Sequence, residues 1–404
     1  MSGSTASPGT SILQPFTPQQ LQASAAASAL LRGAASQAGV RSGRRFRQLV
    51  QSQSFVPVQG QATTVNLTPQ PVGLTTKYFV EVITTITNPA GGSLLTRAPF
   101  SAFNQLSNIA YTDPSQTQRI NTTGWHLATV AAMRRRRIPG AAYTTDSPTG
   151  FGSVVQPIQA PATIAAASGT GTARSIYEVP LSTGRNSLRG AIVSGTVFSN
   201  QQLQITFNPN FLQAGTDPLN AGYTGSGTGA AAPTMATTVN LYQEYWDQYS
   251  QALLAALQPD LSTIYELKTS VFTPIVANVD NYFRFSPLRE YWSTVLAFDN
   301  GGVMNAGTDV NYFKLQAANQ TNFWQNSPAL QSFDTRNKFG DEAPPGVYLF
   351  DMHDEPIVTA ADGNTTLIVN PNSVQAGATV TIGWEDIGIA SVLAAAPGLA
   401  GNGA

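Results

Sequence analysis

The residues of this chain best suited to metal chemistry are two histidines and a run of carboxylates. His126 and His353 are the only histidines among 404 residues, and cysteine is absent. His353 stands within Asp351–Glu355, a segment rich in nitrogen and oxygen ligands. Consecutive residues of one turn cannot all converge on a single ion, however, and Pro356 is typical of a tight connection between strands. We therefore expect no metal, and two histidines in different halves do not form the cluster that a cupin-like enzyme needs.

Other catalytic patterns are equally weak. No Gly-x-Ser-x-Gly elbow is present, although counting residues does not exclude a Ser-His-Asp arrangement. The glycine-rich tract 222–229 lacks the Gly-Lys-Ser/Thr of a phosphate-binding loop and is more typical of a surface loop. Most tryptophans lie on alternating apolar faces, which favours a core over a sugar-stacking surface: Trp125, Trp246, Trp292, Trp324 and Trp384. The sequence predicts no catalytic residues and no cofactor. A carbohydrate-binding jelly roll is a weaker alternative, because it would need exposed aromatic residues in its loops.

Four consecutive arginines form the densest charge run. Arg134, Arg135, Arg136 and Arg137 end a predicted helix just before Pro139-Gly140. Cations in the last turn of a helix interact favourably with its exposed carbonyl groups, by about 0.3–1 kcal/mol each. This capping role is our first interpretation. A charged contact with lipid phosphates, genome or a neighbouring subunit is the alternative.

The N-terminal region is basic, whereas the chain as a whole carries a net charge of −1. No acidic residue precedes Glu81, and the basic residues before it include a set that we regard as candidate membrane contacts: Arg32, Arg41, Arg44, Arg45 and Arg47. Each is worth about 1 kcal/mol at an anionic surface. Thr17-Pro18 resembles a helix start, and Gln20 to Arg32 present a narrow polar stripe. We expect an arm containing that helix and a short basic amphipathic turn or helix from Arg41 to Val50.

Composition favours a structural protein. Charged residues make up 11% of the chain, compared with about 25% in ordinary soluble proteins. Such a surface is more suited to burial against neighbouring subunits than to free exposure. The absence of cysteine indicates a reducing compartment or indifference to redox state, and there is neither a spanning apolar stretch nor a signal-like start.

One strand pattern occurs twice. Lys77–Asn88 leads to Gly91-Gly92, and Glu290–Asn300 leads to Gly301-Gly302. Each half also predicts a capped helix, the first starting after Asn121 or Thr122 and the second at Thr308. Glycine- and threonine-rich stretches at 159–173 and 212–236 predict projecting loops. A helix inserted at the same place among antiparallel strands in both halves favours two jelly-roll sandwiches over a propeller.

Several collinear motifs resemble the major capsid protein of tectiviruses, tailless bacteriophages with an internal membrane. They span most of the chain after the arm: Gly124–Leu127, Ala160–Ala166, Asp260–Thr263, Phe298–Gly302, Asn305–Tyr312, Gly346–Tyr348 and Val369–Pro371. The longer, alanine-rich arm and the four arginines depart from that family's pattern, which leaves the contacts of both open.

The resemblance implies an all-β double jelly roll, with two tandem eight-stranded sandwiches, short inserted helices and an N-terminal helical arm. It further implies homotrimers that form an icosahedral virion shell over an internal membrane, with the arm near the lipid, minor capsid and vertex proteins as partners, and no direct nucleic-acid contact. We expect four segments: an arm (1–52), a first jelly roll (53–258), a second (259–392) and a tail (393–404).

Overall fold

The computed structural model describes much of the chain from Arg44 to Gly388. The described ranges are 44–98, 101–134, 160–183, 190–193, 201–212, 219, 221–225, 232–247, 264–273, 275–304, 307–316, 322–339, 343, 345–359 and 365–388. The helix predicted within the arm and the predicted tail lie outside these residues.

Among its described residues, the first half consists of strands with one buried α-helix. The helix is α1 (Gly124–Arg134), and a 3₁₀ helix spans Ser101–Gln105. The strands are β1 (Arg44–Phe55), β2 (Thr63–Leu67), β3 (Leu74–Thr87), β4 (Leu95–Arg97), β5 (Leu106–Thr112), β6 (Gln118–Thr122), β7 (Thr163–Ile164), β8 (Thr170–Pro180), β9 (Ile192–Val193), β10 (Gln202–Phe207), β11 (Tyr223–Thr224) and β12 (Thr234–Asp247).

The second half repeats this plan in fewer residues. Its helix is α2 (Pro328–Phe339). The strands are β13 (Ile264–Phe272), β14 (Asn281–Arg284), β15 (Arg289–Asp299), β16 (Val310–Gln316), β17 (Asn322–Asn326), β18 (Val347–Asp351), β19 (Ile357–Val358), β20 (Thr366–Pro371) and β21 (Thr379–Gly388).

Each half contains two four-stranded antiparallel sheets with the same strand order. Sheet I is β1-β12-β3-β8 and sheet II is β2-β10-β5-β6; sheet III is β13-β21-β15-β18 and sheet IV is β14-β20-β16-β17. Strands β9 and β19 extend β3 and β15, and β11-β4-β7 form a small extra sheet. The repeated pattern seen in the sequence proves to be the third main strand of each sandwich, β3 and β15. This is the predicted double jelly roll.

The two sandwiches share a continuous sheet. Strand β6, at the edge of sheet II, pairs in parallel with β13, at the edge of sheet III, through Leu267 opposite Ile120 and Lys268 opposite Asn121. Strand β15 is buried on both faces, because helix α1 packs on the outer face of sheet III. Val295 and Ala297 contact the core of the first sandwich, whereas Leu296 and Phe298 contact that of the second. This double burial explains why β15 is almost wholly apolar.

Two secondary-structure predictions were wrong. The segment from Arg44 onward is strand β1 rather than a basic turn or helix, and the segment after Thr308 is strand β16 rather than a helix. Both strands contain a bulge, between Leu49 and Gln51 in one case and between Val310 and Tyr312 in the other. The bulge in β16 adds one residue, so that Val310 and Phe313, three apart, share the buried face and imitate helical spacing. In β1 the bulge follows Leu49, and Phe46 and Leu49 lie exposed on opposite faces of an edge strand, so their spacing carries no core signal.

Helix α2 was not predicted because its buried face is largely polar. Gln331, Thr335 and Phe339 are the buried residues beyond its first turn. Its start was nevertheless visible in the sequence: the Ser327 hydroxyl accepts a hydrogen bond from the Leu330 N–H at 3.2 Å, and Pro328 occupies the first helical position.

The loops predicted to project are partly folded into the first sandwich. Strands β7 and β11 arise from these tracts and pair with β4. Tyr223 is fully buried against Phe211, and its hydroxyl donates to the Pro161 carbonyl at 3.1 Å. The described residues around Gly222 therefore belong to a small packed cluster.

Candidate functional site: the junction of the two sandwiches

Helix α1 is the element that joins the sandwiches. The Thr123 carbonyl accepts the first helical hydrogen bond, from the Leu127 N–H, so the cap lies one or two residues after the predicted Asn121 or Thr122. Every residue from Gly124 to Met133 is buried. A helix that is apolar on all sides is expected where neighbours cover its whole circumference.

His126 anchors the start of α1 against sheet III. Its Nδ1 lies 2.6 Å from Thr122 Oγ1 and 3.1 Å from Thr269 Oγ1 on β13. The imidazole also lies against Gly383 of β21, where a Cβ atom would stand 2.2 Å from Nε2. Burial lowers the pKa of His126 to about 3, so the ring is neutral. It acts as a packed, hydrogen-bonded spacer.

Arg134 anchors the other end of α1 through a buried ion pair. Its Nε and Nη2 donate to Glu385 Oε1 of β21 at 2.9 and 2.5 Å, and its Nη1 donates to the Ser182 carbonyl at 2.9 Å. The guanidinium lies 4.9 Å from the centre of the Tyr265 ring. Burial alone would raise the pKa of Glu385, but the charge of Arg134 outweighs it and holds that pKa well below its usual range.

His353, which follows β18 in the second sandwich, contacts the same carboxylate as Arg134. Its Nδ1 forms a hydrogen bond with Asp351, and its Nε2 lies 3.4 Å from Glu385 Oε2. Burial would lower the pKa of His353, but the Asp351 hydrogen bond and the Glu385 carboxylate together raise it to about 9. Lys338 of α2 then pairs with Asp351 at 2.9 Å. We call these five residues, Arg134, Glu385, His353, Asp351 and Lys338, the junction cluster.

A cavity of about 120 Å³ lies beside the junction cluster and is lined by residues of both halves. Its charged residues are paired: Lys77 donates to Glu178 at 2.6 Å, and Arg45 donates to Glu244 at 2.5 Å. Within the described part of the chain, no three His, Asp or Glu residues form a group able to hold a metal ion. These pairs join strands of sheet I, whereas Arg134, which also lines the cavity, pairs with Glu385 of the second sandwich.

In the structure Arg134 lies in the last turn of α1, as predicted, and its side chain contacts Glu385, the Ser182 carbonyl and the Tyr265 ring. Its neighbours Arg135, Arg136 and Arg137 lie outside the described residues.

The candidate membrane residues divide into two groups. Arg32 and Arg41 lie outside the described residues, whereas Arg44 begins β1. Arg45 and Arg47 donate to opposite oxygens of Glu244 at 2.5 and 2.7 Å while remaining about half exposed. Arg47 also lies 4.2 Å from the Phe79 ring. These two arginines therefore fasten β1 to β12.

Sequence reasoning missed the two acidic partners, Glu244 and Glu385. Each is almost fully buried and lies three residues before the end of its strand, β12 or β21. A signal was available, since each carboxylate stands next to a tryptophan or tyrosine in a predicted strand of a charge-poor chain. A buried carboxylate requires a partner, but the partner of Glu385 lies 251 residues away.

Two family models match the chain in succession. The model described as P3 major capsid protein N-terminal matches residues 41–249, and that described as P3 major capsid protein C-terminal matches residues 262–396. Together they cover most of the sequence. The chain belongs to the P3 major capsid protein family. It is thus a capsid-forming protein of the virion shell, and the resemblance to tectivirus capsid proteins is confirmed.

A curated relative supports this membership. The major capsid protein P3 of Enterobacteria phage PRD1 is 34% identical over 343 residues, which are 84% of this chain and 86% of that protein. No helix within the described residues is long and apolar enough to cross a membrane.

Solved structures show the same fold at low sequence identity. The STIV MCP has a TM-score of 0.63 and 11% identity, with 88% of this chain and all of that chain covered. The PBCV-1 virus capsid model has a TM-score of 0.52 and 12% identity, with 85% and 94% covered. At these identities the likeness concerns the fold alone, and it agrees with the double jelly roll described above.

Proposed function

We propose that this P3-family capsid protein assembles as a homotrimer whose six sandwiches form a pseudo-hexagonal capsomer, and that such capsomers tile an icosahedral shell. The supporting observation is the identical strand order of the two sandwiches. Because each chain carries two modules of one plan, three chains in a closed ring would supply six similar modules. The charge-poor composition suits the burial of the flanks against identical neighbours.

We place the division between the sandwiches at residues 258 and 259, with an arm before the first sandwich and a tail from 393 to 404. The arm is best drawn shorter than residues 1–52, because β1 pairs with β12 from Arg44 onward. On this division the second sandwich has fewer residues than the first, and shorter segments connect its strands.

We further propose that the arm lies against an internal lipid membrane beneath the shell. Arg32 and Arg41 are its main cationic contacts, with Arg44 next to it at the start of β1, since Arg45 and Arg47 are already paired with Glu244. Each arginine near an anionic surface contributes about 1 kcal/mol. The membrane would separate the shell from the genome, so no direct nucleic-acid contact belongs to this proposal.

The protein's role is structural rather than enzymatic on this proposal. The charged groups at the junction are paired with one another instead of converging on an open site. Its other partners are minor capsid and vertex proteins, because six-sided tiles alone cannot close a shell.

The mass of the purified protein in solution tests the proposal. Size-exclusion chromatography with light scattering should give about three times the chain mass of 42.6 kDa at micromolar concentration. A stable species with the mass of one chain, under conditions where the circular dichroism spectrum shows folded β-structure, would contradict it.

A further inference from the structure

A strained and exposed leucine precedes strand β15. Leu288 has a backbone φ of 59°, and 44% of its surface is exposed. A bulky residue with positive φ is an outlier, because its Cβ atom lies too close to a backbone carbonyl oxygen in this conformation. The chain thus keeps a large apolar side chain at a position that favours glycine, although that side chain is not buried within the chain.

The corresponding turn of the first sandwich has a glycine. Gly73 precedes β3 as Leu288 precedes β15, and its φ is 55°. The end of β12 covers that turn, since a Cβ atom on Gly73 would lie 2.4 Å from the Trp246 carbonyl oxygen. The turn before β15 is instead open, with Ser286 and Pro287 exposed beside the leucine. Neither the backbone conformation nor packing among the described residues accounts for a leucine at this position.

Hydrogen bonds hold the segment 286–288, which we call the leucine turn, in one conformation. The Tyr291 hydroxyl accepts a hydrogen bond from the Ser286 N–H at 2.8 Å and donates to the Ser286 carbonyl at 3.3 Å. The Thr359 hydroxyl accepts from the Arg289 N–H at 2.9 Å and lies 3.0 Å from the Ser286 carbonyl. Strained residues persist where their surroundings over-determine them, and they are concentrated at functional sites. Leu288 is therefore presented to the outside on a rigid support.

The leucine turn lies at the end of the molecule from which the arm leaves. Arg45, near the start of β1, and His353, just after β18, line the same cavity. The end of β18 in turn pairs with the first half of β15, through Asp351 and Ser293. Because Leu288 immediately precedes β15, its turn is at the same end as the start of β1. This is the end that faces the internal membrane in the function proposed above.

The size of the leucine turn favours a lipid partner. A stable protein interface buries about 1,200–2,000 Å², which is more than two exposed side chains can supply. A bilayer needs no shape complementarity, and it accepts a small apolar group at the boundary between headgroups and acyl chains. Arg284, two residues before the turn, is exposed and forms no ion pair with another described residue, so it is able to reach a lipid phosphate.

Charge alone does not bring this part of the chain to a membrane. The carboxylates of Glu266 and Asp386 are paired with Arg289, next to the turn, but Asp354 and Glu355 are exposed at the same end. Attachment through the leucine turn must therefore depend on burial of its apolar side chain, in contrast to the basic arm.

We propose that Leu288 of each copy enters the lipid leaflet that faces the shell and is a membrane contact in addition to the arm. The arm binds by charge, whereas the leucine turn binds by apolar burial. The inference rests on the proposed membrane beneath the shell and adds a described residue that reaches it. In the proposed trimer three leucine turns lie at one level, so their contributions combine.

Leu288→Asn tests this contact in a flotation assay with phosphatidylcholine–phosphatidylglycerol vesicles. Asparagine tolerates positive φ, so the urea midpoint should be preserved. Loss of the leucine should weaken vesicle binding about fivefold per chain, or about a hundredfold for a trimer that engages all three turns. Unlike deletion of the arm, the substitution should have the same effect at low and high salt.

Val303→Asn is the matched control for this assay. Val303 is 51% exposed and follows the other end of β15, roughly 35 Å from Leu288. Its substitution should leave vesicle binding unchanged. Equal flotation of the two variants would overturn the proposal.

A fluorescent probe reports directly whether the leucine turn reaches lipid. The chain has no cysteine, so Leu288→Cys provides a single attachment site for an environment-sensitive fluorophore. On binding to the same vesicles, its emission should shift to shorter wavelength and be quenched by brominated lipid, whereas a label on Val303→Cys should show neither change. If the wild-type protein does not float with vesicles, the proposed membrane contact fails as a whole; if it floats but the label at position 288 stays in water, only the leucine turn is wrong. A Leu288→Asn protein that floats normally but no longer assembles would overturn the lipid contact and assign the turn to a protein partner.

Discussion

At the residue scale, several carboxylates among the described residues are buried in ion pairs. Glu385 accepts hydrogen bonds from Arg134 and from the Ser293 hydroxyl, the latter at 3.0 Å, and lies at ion-pair distance from His353. Removing one partner of such a pair typically costs about 3–5 kcal/mol, because the other charge remains buried. An apolar replacement of both partners can be neutral, so the pairs specify orientation more than they add stability. In a capsid protein, that orientation fixes the angle between the sandwiches.

His353 should make stability depend on pH. Its pKa in the folded state, about 9, exceeds the unfolded value of about 6.5. The folded state therefore binds the proton more tightly, and this stabilisation is lost as pH rises through 9. Between pH 7 and 9.5 the wild-type protein should lose about 2 kcal/mol that His353→Gln does not lose, as measured by urea unfolding.

Two other titratable groups, His126 and Asp386, do not affect the difference between wild type and His353→Gln. His126, the other histidine, has a pKa of about 3 in the folded state and remains neutral across this range. Asp386, whose pKa burial raises to about 7 despite Arg289 nearby, titrates alike in both proteins. Parallel pH profiles for wild type and His353→Gln would show that His353 is not protonated in the folded protein.

At the element scale, α1 can lie on β21 only because Gly383 has no side chain. The His126 ring occupies the space that a Cβ atom would take, and hydrogen bonds from Thr122 and Thr269 hold the ring there. Glycine within a strand often marks such a close approach. The junction thus depends on a small residue in β21 as much as on the ion pair at the other end of α1.

Gly383→Ala should destabilise the fold by about 1–3 kcal/mol, the usual cost of overpacking a tight contact. Thermal or urea unfolding would measure the loss. Gly91→Ala is the matched control, because a Cβ atom there meets nothing within 4 Å. Its effect should stay within about 0.5 kcal/mol. Adding His126→Ala to Gly383→Ala should restore part of the stability; no penalty for Gly383→Ala would mean that α1 shifts freely on β21.

Much of the element order could be read from the sequence, and the exceptions have identifiable causes. Alternation of apolar residues predicts β3, β8, β10 and β21 because one face of each strand is buried. The bulge in β16 defeats the same reasoning, since it replaces a spacing of two by one of three. Strand β1 defeats it because Phe46 and Leu49 are exposed on opposite faces of an edge strand. Apolar periodicity does not predict helix α2, because the buried face of that helix is largely polar.

At the scale of the whole molecule, the continuous sheet makes the two sandwiches one unit. Sheets II and III are joined by β6 and β13, and the first hydrophobic core includes Val295 and Leu349 from the second sandwich. A shared core and a shared sheet resist changes in the angle between modules. A shell tile made of such chains is stiff, which suits a protein that must meet its neighbours in one geometry.

Removing the arm should weaken membrane attachment without affecting the fold. The deletion should end at residue 42, because β1 begins at Arg44. Loss of Arg32 and Arg41 corresponds to about 2 kcal/mol per chain, or roughly thirtyfold in binding to anionic vesicles, in a flotation assay at low salt. Vesicles of neutral lipid serve as the control. Equal flotation of the truncated and full-length proteins would contradict a membrane role for the arm.

The architecture follows from the amino-acid sequence: strand periodicity, the repeated pattern ending in Asn-Gly-Gly, and the low charge content indicate two jelly rolls and a structural protein, because these features depend on local spacing and composition. The partners of the charged residues, in contrast, are known only from the folded chain. Arg134 and Arg45 look like surface cations in the sequence, yet their partners Glu385 and Glu244 lie 251 and 199 residues away along the chain. Periodicity carries no information about which distant strands meet, so pairings of this kind emerge only when the sheets are assembled.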